Sequence, residues 1–322
     1  MIFSEIANFM IEVIKPGIFT TVQDLGRWGY QRYGIGTAGA LDSFALTAGN
    51  LLLGNGEEAA GLEITFAGPL LKFHQNTLVA ITGADLNPRL NGQPLPNWTV
   101  CSVSAGSILS FGPRKSGVRA YLTVWGGIAV PPIMGSRSTY LLGHFGGLEG
   151  RPLKAGDLLP LPPCPFKGPE LAGRSLPISL HPAYQRNPCL RVILGPFADY
   201  FSAEGQEAFL TSTYTITPQS DRMGYRLHGT PITRAINEEL ITCGLANGTM
   251  QVPPDGQPIL LLADRQTIGG YPIIATVINA DLPLAAQCAP GDKLRFQATT
   301  LREAQAAFQN LWGNLRRFLQ SI

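Results

Sequence analysis

Residues 27–34 read RWGYQRYG and residues 222–229 read RMGYRLHG, and both fit R-x-G-Y-x-x-x-G. Two more pairs accompany them. Gly106–Phe111 (GSILSF) matches Gly291–Phe296 (GDKLRF) as G-x-x-L-x-F. Gly61-Leu62-Glu63-Ile64 resembles Gly248–Val252 (GTMQV), and each is followed by a Gly-Pro turn, Gly68-Pro69 or Gly256-Gln257-Pro258. Three matches in one order at similar spacing predict a duplicated domain, two copies of one barrel or sandwich. The competing reading is coincidence among Gly-rich turns.

The stretch between the copies has its own character. Residues 160–188, PLPPCPFKGPELAGRSLPISLHPAYQRNP, hold eight prolines. Pro at this density supports neither a ladder nor a helix, so the segment reads as a connection. Its Leu171, Leu176, Ile178 and Leu180 give it a means of ordering against its neighbours. The expected organisation is a first β-domain over 11–160, a connection over 161–188, a second β-domain over 189–300 and a helix over 301–322.

Composition agrees with a β-rich fold. The 322 residues suit two domains. They include 37 Gly and 26 Pro, and only 14% are charged, against about 25% in an ordinary soluble chain. Gly and Pro interrupt helix interiors. Short β-rich runs ending at Gly, Pro or Asp recur along the chain, among them LVAITGA, AYLTVWGG, CLRVILG and KLRFQA. Two helices are predicted. Asp42 or Ser43 caps one that runs to Gly54. In the other, TLREAQAAFQNLWGNLRRFLQSI, residues Leu301, Ala304, Phe308, Leu311, Leu315 and Phe318 make one apolar face for packing on a barrel.

Charge and cysteine usage narrow the function. The net charge is +2 with no basic run, which argues against duplex nucleic acid. No apolar run reaches the roughly 18 residues of a membrane span. The first ten residues, MIFSEIANFM, carry no Lys or Arg and read as a start-site extension or leader. Cys101, Cys164, Cys189, Cys243 and Cys288 are scattered, odd in number and without C-x-x-C, as expected for thiols of a reducing cytosol. The four histidines lack metal-ligand spacing, and no P-loop, G-x-S-x-G or strand–G-x-G-x-x-G–helix occurs.

Polar groups gather in four Gly-rich stretches. Gln23, Asp24 and Arg27 form the first: Arg27 offers a planar fork for a carboxylate or phosphate, and the structural alternative is an Asp24–Arg27 pair pinning the turn. Ser136, Arg137, Ser138, Thr139 and Tyr140, followed by Gly143, Gly146, Gly147 and Gly150, form the second, whose hydroxyls and N–H groups suit an oxyanion. His144 in this stretch reads as a turn residue or a base. Asp221, Arg222 and Arg226 form the third. The fourth joins Gln251 to Asp264, Arg265, Gln266, Thr267 and Tyr271; its alternative is a capped turn with an internal Asp–Arg pair.

Four segments together, FTTVQDLGRWGYQRYGIGTAGALD, GSRSTY with GGLEGRPLKAGD, SDRMGYRL, and QVPPDGQPILLLADRQTIGGYP, resemble the family of 5-oxoprolinase C-type subunits, also called the biotin-dependent carboxyltransferase or allophanate hydrolase subunit 2 family. The resemblance spans about residues 11–300. It implies a mainly β fold of two related cyclophilin-like β-barrels with a few short helices. It also implies a cytoplasmic hydrolase component, inactive without A-like and B-like partner subunits, in a complex that uses ATP to open 5-oxo-L-proline to L-glutamate. Relatives of this kind include a carboxyltransferase lobe of urea carboxylase and an antagonist of a sporulation-kinase inhibitor, so two other functions follow: biotin-dependent carboxyl transfer to a urea-like acceptor, and non-catalytic partner binding. Ile268 stands where the family pattern has a second Thr, and His144-Phe145 replaces smaller residues. No A-M-K-M biotinyl motif is present, so any biotin arrives on another protein; no metal is expected.

Chemistry, rather than the family, suggests the roles. A lactam is stable until its carbonyl is made electrophilic, so the site needs donors for a carboxylate and an oxyanion. Arg27, Arg137, Arg222 and Arg265 are candidate donors, Gln23, Gln251 and Gln266 candidate readers of the amide, and Asp24, Asp221 and Asp264 candidate bases or orienters. Ser136, Ser138, Thr139, Tyr140, Thr267 and Tyr271 complete the substrate contacts, in a polar cleft expected where the two domains meet.

Overall fold

A computed structural model describes residues 10–163, 169–236 and 240–320. The leader, Met10 aside, and Cys164 lie outside the described residues. The fold is mainly β and divides into two compact units. One holds Met1–Arg27, Ala38–His181 and Phe318–Ile322; the other holds Trp28–Thr37 and Pro182–Arg317.

Among its described residues, the first unit contains eleven strands: β1 (Met10–Lys15), β2 (Phe19–Gln23), β3 (Gly61–Thr65), β4 (Leu70–Phe73), β5 (Thr77–Asp85), β6 (Pro88–Leu90), β7 (Gln93–Pro94), β8 (Val100–Val103), β9 (Ile108–Phe111), β10 (Ser116–Val124) and β11 (Leu158–Pro160). They form a six-stranded sheet, β11-β1-β4-β9-β6-β7, and a five-stranded sheet, β2-β3-β10-β5-β8. Alternation along β1 buries Ile11 and Val13 in the same core as Leu71, Phe73, Ile81 and Leu122. The helix Ser43–Leu52 starts where Asp42 accepts from Ala45 N at 2.9 Å, the expected cap, and lies against β5 and β10.

Part of the Pro-rich segment is fastened to this unit. Val100 N donates to Arg174 O, Leu176 N donates to Trp98 O, and His181 stacks on the Trp98 ring with centroids 4.4 Å apart. Leu176 is buried while Ile178 is exposed. Main-chain bonds around an isolated Thr99–Ser175 bridge, with buried Leu176 and the His181–Trp98 stack, thus hold a stretch that forms no longer strand.

In the second unit, β12 (Cys189–Leu194), β13 (Tyr214–Ile216), β14 (Gly224–His228), β16 (Thr249–Gln251), β17 (Ile259–Leu261), β19 (Ile273–Val277) and β20 (Lys293–Ala298) close a barrel in the order β12-β19-β16-β17-β14-β13-β20. The β20–β12 seam is parallel. β15 (Cys243–Gly244) and β18 (Ile268–Gly269) make a separate ribbon. Phe209, from the helix Ala203–Thr211, stacks on Phe296 of β20 with centroids 4.8 Å apart.

The C-terminal helix, Leu301–Gln320, opens on a reciprocal cap. Thr300 N donates to Glu303 Oε2 at 2.9 Å, and Glu303 N donates to Thr300 Oγ1 at 3.2 Å. Ala304, Ala307 and Leu311 meet Ile193, Ile278 and Ala280. The expected apolar face is therefore only partly used: Leu301 and Phe308 are exposed, and Trp312 is buried instead.

Two of the three sequence matches fall on like structure. Gly106 and Gly291 both turn at positive φ, +85° and +89°, ahead of strands that bury Leu109 and Leu294. Glu63 and Gln251 both lie in strands. The first match is different. Gly29-Tyr30 lies in a loop and Gly224-Tyr225 in β14, and all but Arg27 of both copies belongs to the second unit. A shared Gly–Tyr pattern here reports local backbone needs, not equivalent places in two domains.

Candidate functional site

The first unit builds one cluster where β2 ends. Asp24 Oδ1 accepts from Gly26 N at 2.8 Å, which turns the chain. The same carboxylate accepts from Ser136 Oγ (2.6 Å), Ser138 Oγ (2.5 Å) and Arg137 N (2.5 Å). Asp24 is 6% exposed, so these bonds supply what solvent would. The carboxylate thereby pins the hydroxyl stretch to the end of β2.

Arg27 is sealed beside it, 1% exposed. Its Nη2 donates to Ser138 O at 2.5 Å, and its guanidinium carbon lies 4.9 Å from the Phe145 ring centroid and 5.9 Å from that of Tyr140. Gly146, at φ +72°, permits this closeness, because a Cβ there would run into Ser138 O and Arg27 Nη2. Phe145, in sequence only a departure from the family pattern, forms one wall around this arginine.

The remaining residues of the stretch face inward or elsewhere. Thr139 Oγ1 donates to Val22 O at 3.0 Å. Gln23 Nε2 donates to Thr21 Oγ1 at 3.1 Å and Thr139 O at 3.4 Å, and its Oε1 is buried without a partner among the described residues. His144 occupies a left-handed turn position, φ +54°. The Arg137 side chain leaves the cluster. Its Nε donates to Val130 O at 2.9 Å, and it lines a cavity of about 510 Å³ with Asn55, Glu58, Trp125 and Pro162.

The second unit builds another cluster. Arg222 and Asp264 pair through two contacts, Nε–Oδ2 at 2.9 Å and Nη2–Oδ1 at 3.1 Å, with both side chains buried. Asp264 N donates to Arg222 O at 3.0 Å, so main chain and side chains lock the two segments together. The Asp–Arg pair that is the alternative reading of the fourth stretch thus exists across segments, with Arg222 rather than Arg265. Asp221 is spent on its own turn, accepting from Met223 N at 2.7 Å.

Arg265, 6% exposed, donates only to neutral acceptors among the described residues: Leu245 O at 3.0 Å, Leu262 O at 3.3 Å and Thr37 Oγ1 at 3.4 Å. Burial pushes its guanidinium down to about 10. Buried Gln251 donates from Nε2 to Tyr271 O at 3.2 Å, and exposed Gln266 donates to Gln251 Oε1 at 3.4 Å. Thr267 O accepts from Leu245 N and secures the β15–β18 ribbon, which leaves Ile268 exposed beside half-exposed Tyr271.

Sequence reading missed two members. Arg234 Nη2 donates to Val252 O, and its charge feels Tyr271 and Asp255, although burial is the larger influence and lowers its pKa. Thr37 sits far from Arg265 in sequence and joins it through the Trp28–Thr37 excursion. Arg234 lies in no Gly-rich motif, and Thr37 lies in the GIGTAG end of the first family segment without having been singled out there. Among the described residues, no group of three or more His, Cys, Asp or Glu is arranged to hold a metal, and no helix is long and apolar enough to cross a membrane.

Comparison with known proteins places the fold. The profile of the carboxyltransferase domain, subdomains A and B, matches residues 33–298. The chain belongs to this carboxyltransferase family. It is 41% identical to the C-type subunit of 5-oxoprolinase from Escherichia coli over 94% of this chain and 95% of that one. It is 38% identical to the equivalent 5-oxoprolinase subunit of Haemophilus influenzae over 92% and 93% of the two chains. The solved urea amidolyase of K. lactis superposes with a TM-score of 0.90 at 31% identity, covering 97% of this chain and 20% of that one. The chain thus spans about a fifth of urea amidolyase and nearly the full length of the two 5-oxoprolinase relatives.

Proposed function

We propose that this chain is the C-type subunit of a cytoplasmic, multi-subunit 5-oxoprolinase that couples ATP hydrolysis to opening of 5-oxo-L-proline to L-glutamate. The carrying observation is the 41% identity to the E. coli 5-oxoprolinase component through almost all of both chains. In this reading the A-like and B-like subunits are required, and the nucleotide site belongs to a partner. ATP phosphorylates the lactam oxygen and ADP leaves; water adds to the carbonyl carbon and the ring C–N bond breaks with protonation of the leaving amine, giving an acyl phosphate, which a second water hydrolyses to glutamate and inorganic phosphate. Gln251 and Gln266 read the lactam amide. Arg222 and Asp264 position the segment that carries Arg265. Asp24, Arg27, Ser136, Ser138 and Thr139 hold the hydroxyl loop, and Asp221 holds its turn. The two units are versions of one cyclophilin-like barrel, a view supported by the like turns at Gly106 and Gly291. The test is to co-purify the chain with its partner subunits and assay glutamate release from 5-oxo-L-proline with ATP. A folded, complete mixture without activity overturns the proposal.

The superposition on K. lactis urea amidolyase favours a second reading, a carboxyltransferase lobe that accepts carboxyl from biotin borne on another protein. N-carboxylation of urea on addition of a carboxylated biotin carrier is its test.

A further inference from the structure

We propose that Arg265 is the receptor for a carboxylate of the ligand and sets the requirement for an acid. The identity of the ligand rests on the 5-oxoprolinase reading; the carboxylate receptor rests on the structure of the second unit.

Among the described residues, the charges in this cluster do not balance. Arg222 and Arg265 are both about nine-tenths buried or more, and their segments are joined through residues 262–265. Asp264 neutralises Arg222 through a two-point contact. Arg265, the next residue, has no carboxylate within 4 Å among the described residues. Desolvation alone moves its titration, with no acidic neighbour among those residues opposing it. A buried charge without a counter-ion is costly, and natural folds pair or neutralise such groups. An uncompensated one that stays positive at neutral pH marks a place where a charge of the other sign arrives from outside.

Geometry says how it arrives. Nε is committed to Leu245 O, and Nη1 to Leu262 O and Thr37 Oγ1. These bonds fix the plane of the guanidinium before any ligand binds. Nη2 donates to none of the described residues, so its two hydrogens are the available donors. They suit one carboxylate oxygen taken end-on, rather than the two-point grip that Arg222 already gives Asp264. The other candidates fit this role less well. Arg27 is enclosed by Phe145 and Tyr140, and Arg222 already has its anion.

The test compares two lactams that differ only in the acid, 5-oxo-L-proline and 2-pyrrolidinone. Binding to the full chain is read by calorimetry and by ligand-observed NMR, so partner subunits and turnover are not needed. Wild type is expected to prefer 5-oxo-L-proline by about tenfold or more, as for a hydrogen bond to a charged group. In Arg265→Gln, shown by its melt and circular dichroism to be folded, the gap closes. Arg265→Lys keeps the positive charge and retains part of the gap. Equal binding of the two lactams by wild type, binding of neither, or a gap that survives in R265Q overturns the proposal. If the gap appears and closes as stated while the assembled enzyme releases no glutamate, the carboxylate receptor stands and the 5-oxoprolinase reading falls.

Discussion

Arg222 and Asp264 lie 42 residues apart in sequence and meet as a buried two-point ion pair at 2.9 and 3.1 Å. The pair ties the turn before β14 to the segment after β17, and that segment carries Arg265. Removing one partner strands a charge away from water. Asp264→Ala is expected to cost about 3–5 kcal/mol of stability, and Arg222→Met with Asp264→Leu together to recover most of it. Urea denaturation of the three chains measures both. If the double variant regains stability but loses the preference for 5-oxo-L-proline, the pair positions Arg265 rather than merely holding the barrel.

Asp24 is the matching element of the first unit. Asn in its place keeps one acceptor oxygen but turns an amide N–H₂ toward a donor, against the Ser136–Ser138 stretch. Asp24→Asn should destabilise by about 1–3 kcal/mol. Thermal melts, with hydrogen exchange at Arg137 and Ser138, will show whether the loop is released. Unchanged exchange protection at those amides would refute this role.

Arg27 is held by shape as well as by charge. Lys lacks the flat guanidinium that lies over Phe145 and Tyr140 and donates to Ser138 O. Arg27→Lys and Phe145→Leu should each cost about 1–2 kcal/mol. Because both remove the same contact, the double variant should lose less than the sum of the two. A double-mutant cycle by chemical denaturation reads the coupling.

Acid sensitivity has an identifiable contributor. Asp157 accepts from Arg151 Nη1 at 2.8 Å and Nη2 at 2.9 Å and from Lys154 N at 2.7 Å. The hydrogen bonds from Arg151 hold its carboxyl below the ordinary value, against the opposing effect of burial. A group depressed in the folded state adds stability that is present above its unfolded pKa of about 3.9 and is lost as pH falls from there through the folded value. Melts between pH 6 and pH 2.5 should therefore steepen below about pH 4. Asp157→Asn should be less stable at pH 6 and show a shallower acid slope.

Local signals were legible in the sequence. Asp42 as cap, the short strands and the start of the last helix follow from residue choice within a few positions, and the structure has them. Pairing over long distance was not legible. Nothing in the spacing says that Asp264 meets Arg222 while Arg265, one residue on, meets carbonyls. The cluster around Asp24 was visible as residue types, but its inward direction was not, because hydroxyls and carboxylates look alike whether they face a ligand or each other. The Arg137 side chain shows the same limit: its main-chain N joins Asp24 while its guanidinium turns to Val130 O. Arg234 carried no sequence signal, and Thr37, inside the Gly34–Gly39 run, carried none that pointed to Arg265, since neighbours brought by topology are invisible to a local pattern.

The Trp28–Thr37 excursion bears on how this protein can be divided. Thr37 supports Ala263 and Arg265, yet it is encoded far upstream of the rest of its unit. A gene fragment starting at Pro182 would make a barrel without that prop, and its complement would carry an orphaned loop. Shuffling, splitting or swapping the halves therefore demands two cuts and a rejoining.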